Sequence, residues 1–260
     1  MSASAIQMSH SLQKKLVVLE KLLQKAIEVR SLPELGNFLT QTEKIVTCES
    51  CHQAYRGHPN RSTLDDQIDR ILSQACQGFH LIEREAAAEL CDYAPEGRYI
   101  KNVSLSALKE AKTLELNHRS KVLFIGCGAR PVSCHALATQ FGCDVVGIDN
   151  DPECIEMALE YAHGLAQSSR LSFLLQDGCQ ADLEKVTQVI IASLVEDKAN
   201  IIEHLGENSD SSTKVCVRFG EGLHRLINYP LPEFSFQPWA SSKVDLDPYG
   251  LYQSLYITRV

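Results

Sequence analysis

Three points along the second half of the chain carry residues that could hold a nucleoside, at the spacing that a parallel sheet imposes. Val122 to Pro131 reads VLFIGCGARP, an apolar run that ends on Gly126 and Gly128. Paired glycines at that position let a ligand approach the backbone closely where a helix begins. Asp149 ends the next apolar run, DVVGID, 23 residues after Gly126. An acidic side chain there accepts hydrogen bonds from both hydroxyls of a ribose. Asp177-Gly178 follows the third run, LSFLLQ, where an aspartate meets an adenine amino group. A G-x-G alone is weak evidence. All three at consecutive strand ends, on the one sheet edge where such ligands bind, predict adenosine recognition.

Dinucleotides and S-adenosylmethionine compete for that role. The dinucleotide fingerprint requires a third glycine for close helix–strand packing and a helix N-terminus presented to pyrophosphate. Here Arg130-Pro-Val-Ser stands in that place, and Pro131 lacks a backbone donor. S-adenosylmethionine has no phosphate to bind, so the substitution costs it nothing. The residues favour the sulfonium.

The elements that must position these groups fall into two textures. Residues 1–118 lack strand patterning and read as an all-helical N-terminal domain that caps the active site. Leu12, Leu16, Leu19, Leu22, Leu23 and Ile27 recur at helical spacing among lysines, and Ser31-Leu-Pro-Glu-Leu opens a second helix. A polar loop is expected around Tyr55 to Asn60. Helices are then expected over Leu64 to Gln77 and Leu81 to Leu90, a turn at Ala94 to Gly97, and a helix from Tyr99 to Leu116. In residues 119–260 short apolar runs (KVLFIG, DVVGID, LSFLLQ, QVIIA, KVCVRF) alternate with helical segments, which predicts βαβ units and a parallel sheet. FSFQPW and LYQSLYITRV, with no helix between them, predict an antiparallel addition at the sheet edge. The expected fold class is α/β: a Rossmann-like S-adenosylmethionine-dependent transferase domain behind an all-helical one.

Composition removes several classes. A formal charge of −8, from 33 acidic against 25 basic residues, opposes general nucleic-acid binding. No apolar run approaches the roughly 18 residues of a membrane span. The N-terminus MSASAIQMSHSLQKK lacks the apolar core of a secretory signal, so a cytoplasmic location is expected. Ten cysteines in such a chain read as reduced, small apolar residues. Cys48-Glu-Ser-Cys51-His52 matches the C-x-x-C-H pattern of haem attachment. That chemistry needs export, and no second C-x-x-C follows to complete a zinc site. A helix with incidental thiols is the expectation, without a metal.

Several segments, in order, resemble the nicotianamine synthase family. GCGARP is similar to its G-x-G-P-L-P loop, with Ala129 in place of the first proline. VVGIDNDPE resembles its second strand and acidic ribose ligand, and IIASLVEDKANII its fourth strand and following helix. VRFGEGLHRLINYPL resembles a later strand and loop. Tyr99-Ile-Lys-Asn102 with Leu108-Lys-Glu110 echoes an aromatic segment before the sheet. The likeness spans roughly Leu81 to Leu231, and the length suits the short bacterial branch that builds opine-type metallophores such as staphylopine and pseudopaline from histidine.

The resemblance implies transfer of the 3-amino-3-carboxypropyl (aminobutanoate) arm of S-adenosylmethionine, as co-substrate, to the amine of histidine, with release of methylthioadenosine. It places a catalytic glutamate at Glu83, with Glu85 as the alternative, and an active-site tyrosine at Tyr99. Gly126, Cys127, Gly128 and Pro131 would cradle the cofactor, Asp149 and Asn150 would hold ribose, and Asp177 with Gly178 would border adenine. Ser193 and Leu194 would line the transferred arm. Gly222, His224 and Arg225 fall in the later loop, where the family's arginine corresponds to His224 and can hold a product carboxylate. The family tyrosine after Asn102 is Val103 here. These departures favour a single transfer to histidine over nicotianamine itself. The product would pass to an opine dehydrogenase.

Rival readings follow from the same residues. A small-molecule methyltransferase on this fold would leave S-adenosylhomocysteine. A non-catalytic adenosine-binding regulator would bind the cofactor without turnover. The choice of L- or D-histidine stays open, as does the pairing of the N-terminal helices in a homodimer.

Overall fold

Four amphipathic helices build the first part of the chain, and their boundaries follow from local chemistry. The computed structural model describes residues 3–88, 97–163, 165, 168–234, 238–244 and 250–259, with side chains described for 10–31, 33–78, 101–163, 165, 168–234, 238–240 and 250–259. Helix α1 (Ala3–Glu28) buries Leu12, Leu16, Leu19 and Leu23, which recur every three or four residues, and turns its lysines outward. Ser31 caps α2 (Leu32–Val46), with Pro33 in its first turn and Glu34 three residues after the cap. Helix α3 (Glu49–Arg56) starts on Cys48, and α4 runs from Arg61 to Ala88.

Two expectations are corrected here. The segment expected as two helices, Leu64 to Gln77 and Leu81 to Leu90, is the single helix α4. Gly78 reads as a terminator, but it is a packing residue. A Cβ there would lie 3.2 Å from Ile27 Cγ1 and 3.5 Å from Leu23 Cδ1, so glycine lets α4 approach α1 closely. The loop expected from Tyr55 starts only after Arg56, since Tyr55 is buried on α3. Of the turn expected at Ala94 to Gly97, residues 94–96 lie outside the described residues, and Gly97 begins α5 (Gly97–Thr113).

The second part carries a seven-stranded sheet of order β3-β2-β1-β4-β5-β7-β6. Its strands are β1 (Lys121–Ile125), β2 (Asp144–Asp149), β3 (Leu171–Leu175), β4 (Gln188–Ile191), β5 (Lys214–Phe219), β6 (Trp239–Val244) and β7 (Gln253–Arg259). Strand β1 pairs in parallel with both β2 and β4, as do β2 with β3 and β4 with β5. Helices α6 (Val132–Phe141), α7 (Pro152–His163) and α8 (Lys198–Asn208) fall between strands in sequence. All four residues of β4 are buried, the pattern of a strand covered on both faces. β6 and β7 pair antiparallel, with Trp239 opposite Arg259. Of FSFQPW, expected as a strand, Phe234 is irregular backbone half-buried against the core, residues 235–237 lie outside the described residues, and Trp239 begins β6. Pro238 has no N–H to give to the ladder, so pairing starts after it.

By contacts the chain divides into two compact units. One comprises Met1–Tyr99, Gly220–Pro230 and Asp247–Gln253. The other comprises Ile100–Phe219, Leu231–Leu246 and Ser254–Val260. The sheet unit has two buried apolar clusters. One gathers Val122, Phe124, Leu137 and Val145, and the other Leu123, Ile125, Val189, Ile191 and Val217. Alternate residues of β1 thus feed different clusters, as the two-residue period of a strand requires.

Candidate functional site

In the sheet unit, the ends of β1 and β2 are tied to each other by the loop GCG. Gly126 N–H and Cys127 N–H both donate to Ile148 O, at 2.8 and 3.1 Å. Gly128 N–H donates to Asp149 Oδ2 at 2.9 Å, and Asp151 N–H donates to Asp149 Oδ1 at 3.1 Å. Gly126 and Gly128 have φ of 78° and 66°, a left-handed turn that glycine adopts without a Cβ penalty. The three successive amides of this turn are therefore already committed to β2. A pyrophosphate would need such amides free, whereas a nucleoside without phosphate does not. Each Asp149 oxygen retains acceptor capacity, since an ionised carboxylate offers about four lone-pair sites. Asn150, next in the chain, is exposed.

Pro131 precedes α6 and is buried, with Arg130 half-buried before it. Cys127 is also buried, and burial pushes its thiol far above the ordinary range. It fills space beneath the loop as an apolar residue and is no nucleophile.

The ends of β3 and β4 complete this edge. Asp177 is exposed, and its Oδ1 accepts from Cys179 N–H at 2.8 Å, closing a short turn over Gly178. A Cβ on Gly178 would lie 2.8 Å from both Ile125 and Ile201, so this glycine is fixed by packing against β1 and α8. After β4, Ser193 is half-buried and Leu194 is 37% exposed. A Cβ on Gly126 would lie 2.4 Å from Val195 Cγ2, which brings the loops after β1 and β4 into contact. The structure thus gathers Gly126, Cys127, Gly128, Asp149, Asp177, Gly178, Ser193 and Leu194 along one edge of four adjacent strands.

Sequence reasoning missed two groups in this unit. Lys198, at the start of α8, is fully buried, and its Nζ donates to Ser193 O at 3.0 Å and to Val195 O. It holds the loop that faces Gly126 in one shape. The lysine stands in the quoted stretch IIASLVEDKANII, so the signal was present, but nothing in the pattern foretold its burial. The second group is a buried ion pair. Arg218 on β5 sends Nε and Nη2 to Glu110 on α5, at 3.0–3.1 Å and 2.6 Å, and Nη1 to Ser133 Oγ on α6 at 3.1 Å. Ser254 Oγ on β7 donates to Glu110 Oε1 at 2.6 Å. Glu110 is 0% exposed and Arg218 4%, and the guanidinium lies 5.1 Å from the Phe124 ring centroid. This network joins the first turn of α6, directly after the glycine loop, to β5 and β7.

In the helical unit, the loop holding Gly222, His224 and Arg225 packs on α3 and α4. His224 is 1% exposed, with Nδ1 3.2 Å from Glu221 O and its ring centroid 5.0 Å from that of His52. Arg225 Nη1 lies 3.3 Å from Asp65 Oδ1, and Nη2 pairs with Asp69. Asp65 also accepts from Tyr55 at 2.5 Å, while Arg61 covers the Tyr55 ring at 5.0 Å. Burial, then the Asp65 hydrogen bond, raise the Tyr55 phenol above its usual range. A Cβ on Gly222 would meet Tyr55 Cε1 at 3.0 Å. Neither His224 nor Arg225 is an exposed loop residue. Any carboxylate that Arg225 holds must share it with Asp65 and Asp69. Glu83 and Glu85 fall on α4 and Tyr99 on α5, but their side chains lie outside the described residues.

Among the described residues no group of three His, Cys, Asp or Glu side chains could hold a metal ion, and no helix is long and apolar enough to cross a membrane.

No protein-family model matches this chain. Solved structures of MtNAS, a nicotianamine synthase, superpose over nearly the whole chain. One, in complex with MTA and tNA, has a TM-score of 0.79 at 17% identity, covering 96% of this chain and 97% of the other. A glutamate-to-glutamine variant of MtNAS with S-adenosylmethionine gives 0.77, covering 95% and 97%. This is a nicotianamine synthase-like fold. Curated relatives match in sequence as well. An L-histidine 2-aminobutanoyltransferase of Pseudomonas aeruginosa is 28% identical over 172 residues, 65% of this chain and 65% of its own length. An enzyme of the same name from Yersinia pestis is 27% identical over 203 residues, 73% of this chain and 74% of its own. The matched stretch therefore spans about two thirds of the first of these relatives.

Proposed function

We propose that this chain transfers the 3-amino-3-carboxypropyl group of S-adenosylmethionine to the α-amine of histidine, releasing methylthioadenosine. The observation that carries the reading is that curated relatives aligned with 65–73% of the chain, at 27–28% identity, bear this one activity in their names. The nicotianamine synthase-like fold over 95% of the chain supports it independently.

The chemistry asks little beyond aim. A sulfonium activates all three carbons bonded to it, and the carbon that lies in line with the nucleophile reacts. The amine lone pair attacks the γ-carbon, the C–S bond breaks onto sulfur, and the ammonium product sheds a proton. Holding the partners in line is worth up to about 7–11 kcal/mol. In this reading Asp149 accepts from the ribose hydroxyls while Gly128 N–H holds the carboxylate in place. Gly126 and Gly128 admit the nucleoside against the backbone, and Pro131 closes the turn. Asp177 and Gly178 border adenine. Ser193 and Leu194 flank the amino-acid arm, on a loop that Lys198 keeps rigid. Glu83 is the proposed base for the attacking amine, and Tyr99 the proposed source of the family's tyrosine hydroxyl. Gly222, His224 and Arg225 are the proposed anchors of the acceptor's carboxylate. The product holds a new secondary amine, two carboxylates and the primary amine of the transferred arm, and that primary amine suits reductive condensation with a keto acid by an opine dehydrogenase.

Mass spectrometry of the protein with S-adenosylmethionine and each histidine enantiomer tests the reading. Methylthioadenosine and an aminobutanoyl-histidine adduct are the expected products, with L-histidine preferred. S-adenosylhomocysteine would instead establish methyl transfer, and tight binding without turnover on any amine would establish a regulator.

Asp149→Asn tests the ribose contact separately. The substitution places an amide where two carboxylate oxygens accept, and either loses an acceptor toward ribose or confronts the Gly128 N–H with a second donor. Hydrogen bonds to charged groups are worth about 1.5–3 kcal/mol, so S-adenosylmethionine affinity falls roughly 10–100-fold. Isothermal titration measures it, and an unchanged affinity removes Asp149 from the cofactor site.

A further inference from the structure

The motif Cys48-Glu-Ser-Cys51-His52 has no part in the proposed transfer, yet its geometry is organised. Cys48 is the N-cap of α3, and its carbonyl accepts from Cys51 N–H at 3.0 Å and His52 N–H at 3.2 Å. Its Sγ lies 3.1 Å from Ser50 Oγ, and the two thiols are within hydrogen-bond reach of each other. Cys51 is buried one turn along, and Lys15 on α1 donates to its Sγ at 3.4 Å. His52 is turned aside, its Nε2 2.7 Å from Val46 O, so it does not join the sulfurs. Lys15 also lines a groove of about 390 Å³ along α1 and α2, with Lys14 and Lys44 and an apolar floor of Val18, Leu19 and Ile45. An outer thiol at a helix N-terminus, an inner thiol behind it and a cation on the inner sulfur form an exchange-competent pair. The lysine-rimmed groove sharing that cation suits an extended, anionic molecule.

We propose that Cys48 and Cys51 are a redox-active dithiol that reduces a low-molecular-weight anionic disulfide of the glutathione class. The Cys48 thiolate attacks one sulfur of the disulfide, whose S–S bond breaks. A mixed disulfide forms, and the departing thiolate takes up a proton. Cys51 then loses its proton to solvent, and Lys15 stabilises the resulting thiolate. That sulfur attacks Cys48 Sγ and expels the second thiol. Two electrons and two protons pass from the cysteine pair to the disulfide, leaving two small thiols and a Cys48–Cys51 bond across the first turn of α3.

The thiols differ in the required sense. The Ser50 hydroxyl contributes most to lowering Cys48 to about 7, against the opposing effect of burial, and Lys15 adds to the lowering. Burial raises Cys51. Cys179, also partly exposed, is pushed up to about 11 by burial and then by Asp177 and Asp197. Near neutral pH Cys48 therefore carries the larger share of thiolate and reacts ahead of Cys179.

Incubation of the whole protein with oxidised glutathione, followed by peptide mapping, tests the proposal. A Cys48–Cys51 cross-link is expected, with Cys179 still a free thiol. Cys51→Ser stops at a glutathione adduct on Cys48, and Cys48→Ser gives none on Cys51. Lys15→Gln slows the second step more than the first, so the mixed disulfide accumulates. Oxidised glutathione should outpace uncharged bis(2-hydroxyethyl) disulfide, and Lys14→Glu with Lys44→Glu should remove that preference. Modification of Cys179 before Cys48, or separate alkylation of Cys48 and Cys51 after exposure, overturns the dithiol. Equal rates with both disulfides overturn the anionic assignment.

Discussion

Glu83→Gln leaves S-adenosylmethionine affinity within about twofold of the parent and lowers kcat by about 10²–10⁴-fold, the usual contribution of a positioned general base. A protonated α-amine has no lone pair to offer the γ-carbon, so the base acts on the acceptor and not on the cofactor. The amide cannot take that proton. Raising the pH supplies the neutral amine from solution instead, and below the amine pKa the variant should gain about tenfold per pH unit. A residue that merely supports the fold would show no such recovery. Glu85→Gln is the paired control. At 3.6 residues per turn, the two positions lie about 200° apart around α4, so one substitution should act and the other should not. Steady-state turnover and calorimetric titration together check both. A Glu83→Gln enzyme at the parent rate, with Glu85→Gln impaired, moves the base to Glu85. Parent rates in both remove this helix from proton transfer.

The placement of the candidate residues at the strand ends was legible because its signals are local. An apolar run bounded by glycine, or by aspartate at a set distance, names both the strand and the ligand type, and Gly126, Asp149 and Asp177 fall at the ends of β1, β2 and β3. The rest depends on distance in the chain. Gly78 could not be told from a helix stop without knowing that Ile27 and Leu23 approach it. In FSFQPW, Phe234 joins the core from irregular backbone and Trp239 opens β6 just after Pro238, a boundary that the aromatic alternation does not mark. Arg225 is an ordinary loop arginine in sequence. Asp65 and Asp69, about 160 positions away, make it part of a packed cluster.

The same reasoning gives the largest expected effect on stability. Glu110 and Arg218 are 108 residues apart, and neither is unusual in its own segment, so only the fold reveals the pair. Arg218→Met keeps most of the stem volume and removes the guanidinium. Glu110, at 0% exposure, then loses its paired charge and keeps neutral partners such as Ser254 Oγ. An uncompensated buried charge of this kind costs about 3–5 kcal/mol. For a unit of roughly 150 residues that is a fall in Tm of roughly 6–20 °C, measurable by circular dichroism. Arg218→Lys should recover little, because a point charge cannot reproduce the fork that meets both Glu110 oxygens and Ser133. Adding Glu110→Leu to Arg218→Met removes the stranded carboxylate, and should restore much of the loss. The pair therefore adds little net stability, and its effect is positional: Ser133 is the second residue of α6, two after Pro131, so the network sets where the glycine loop ends. In the double variant, recovered Tm with weakened S-adenosylmethionine binding would separate these roles. Recovery of both would show that the loop holds its shape unaided.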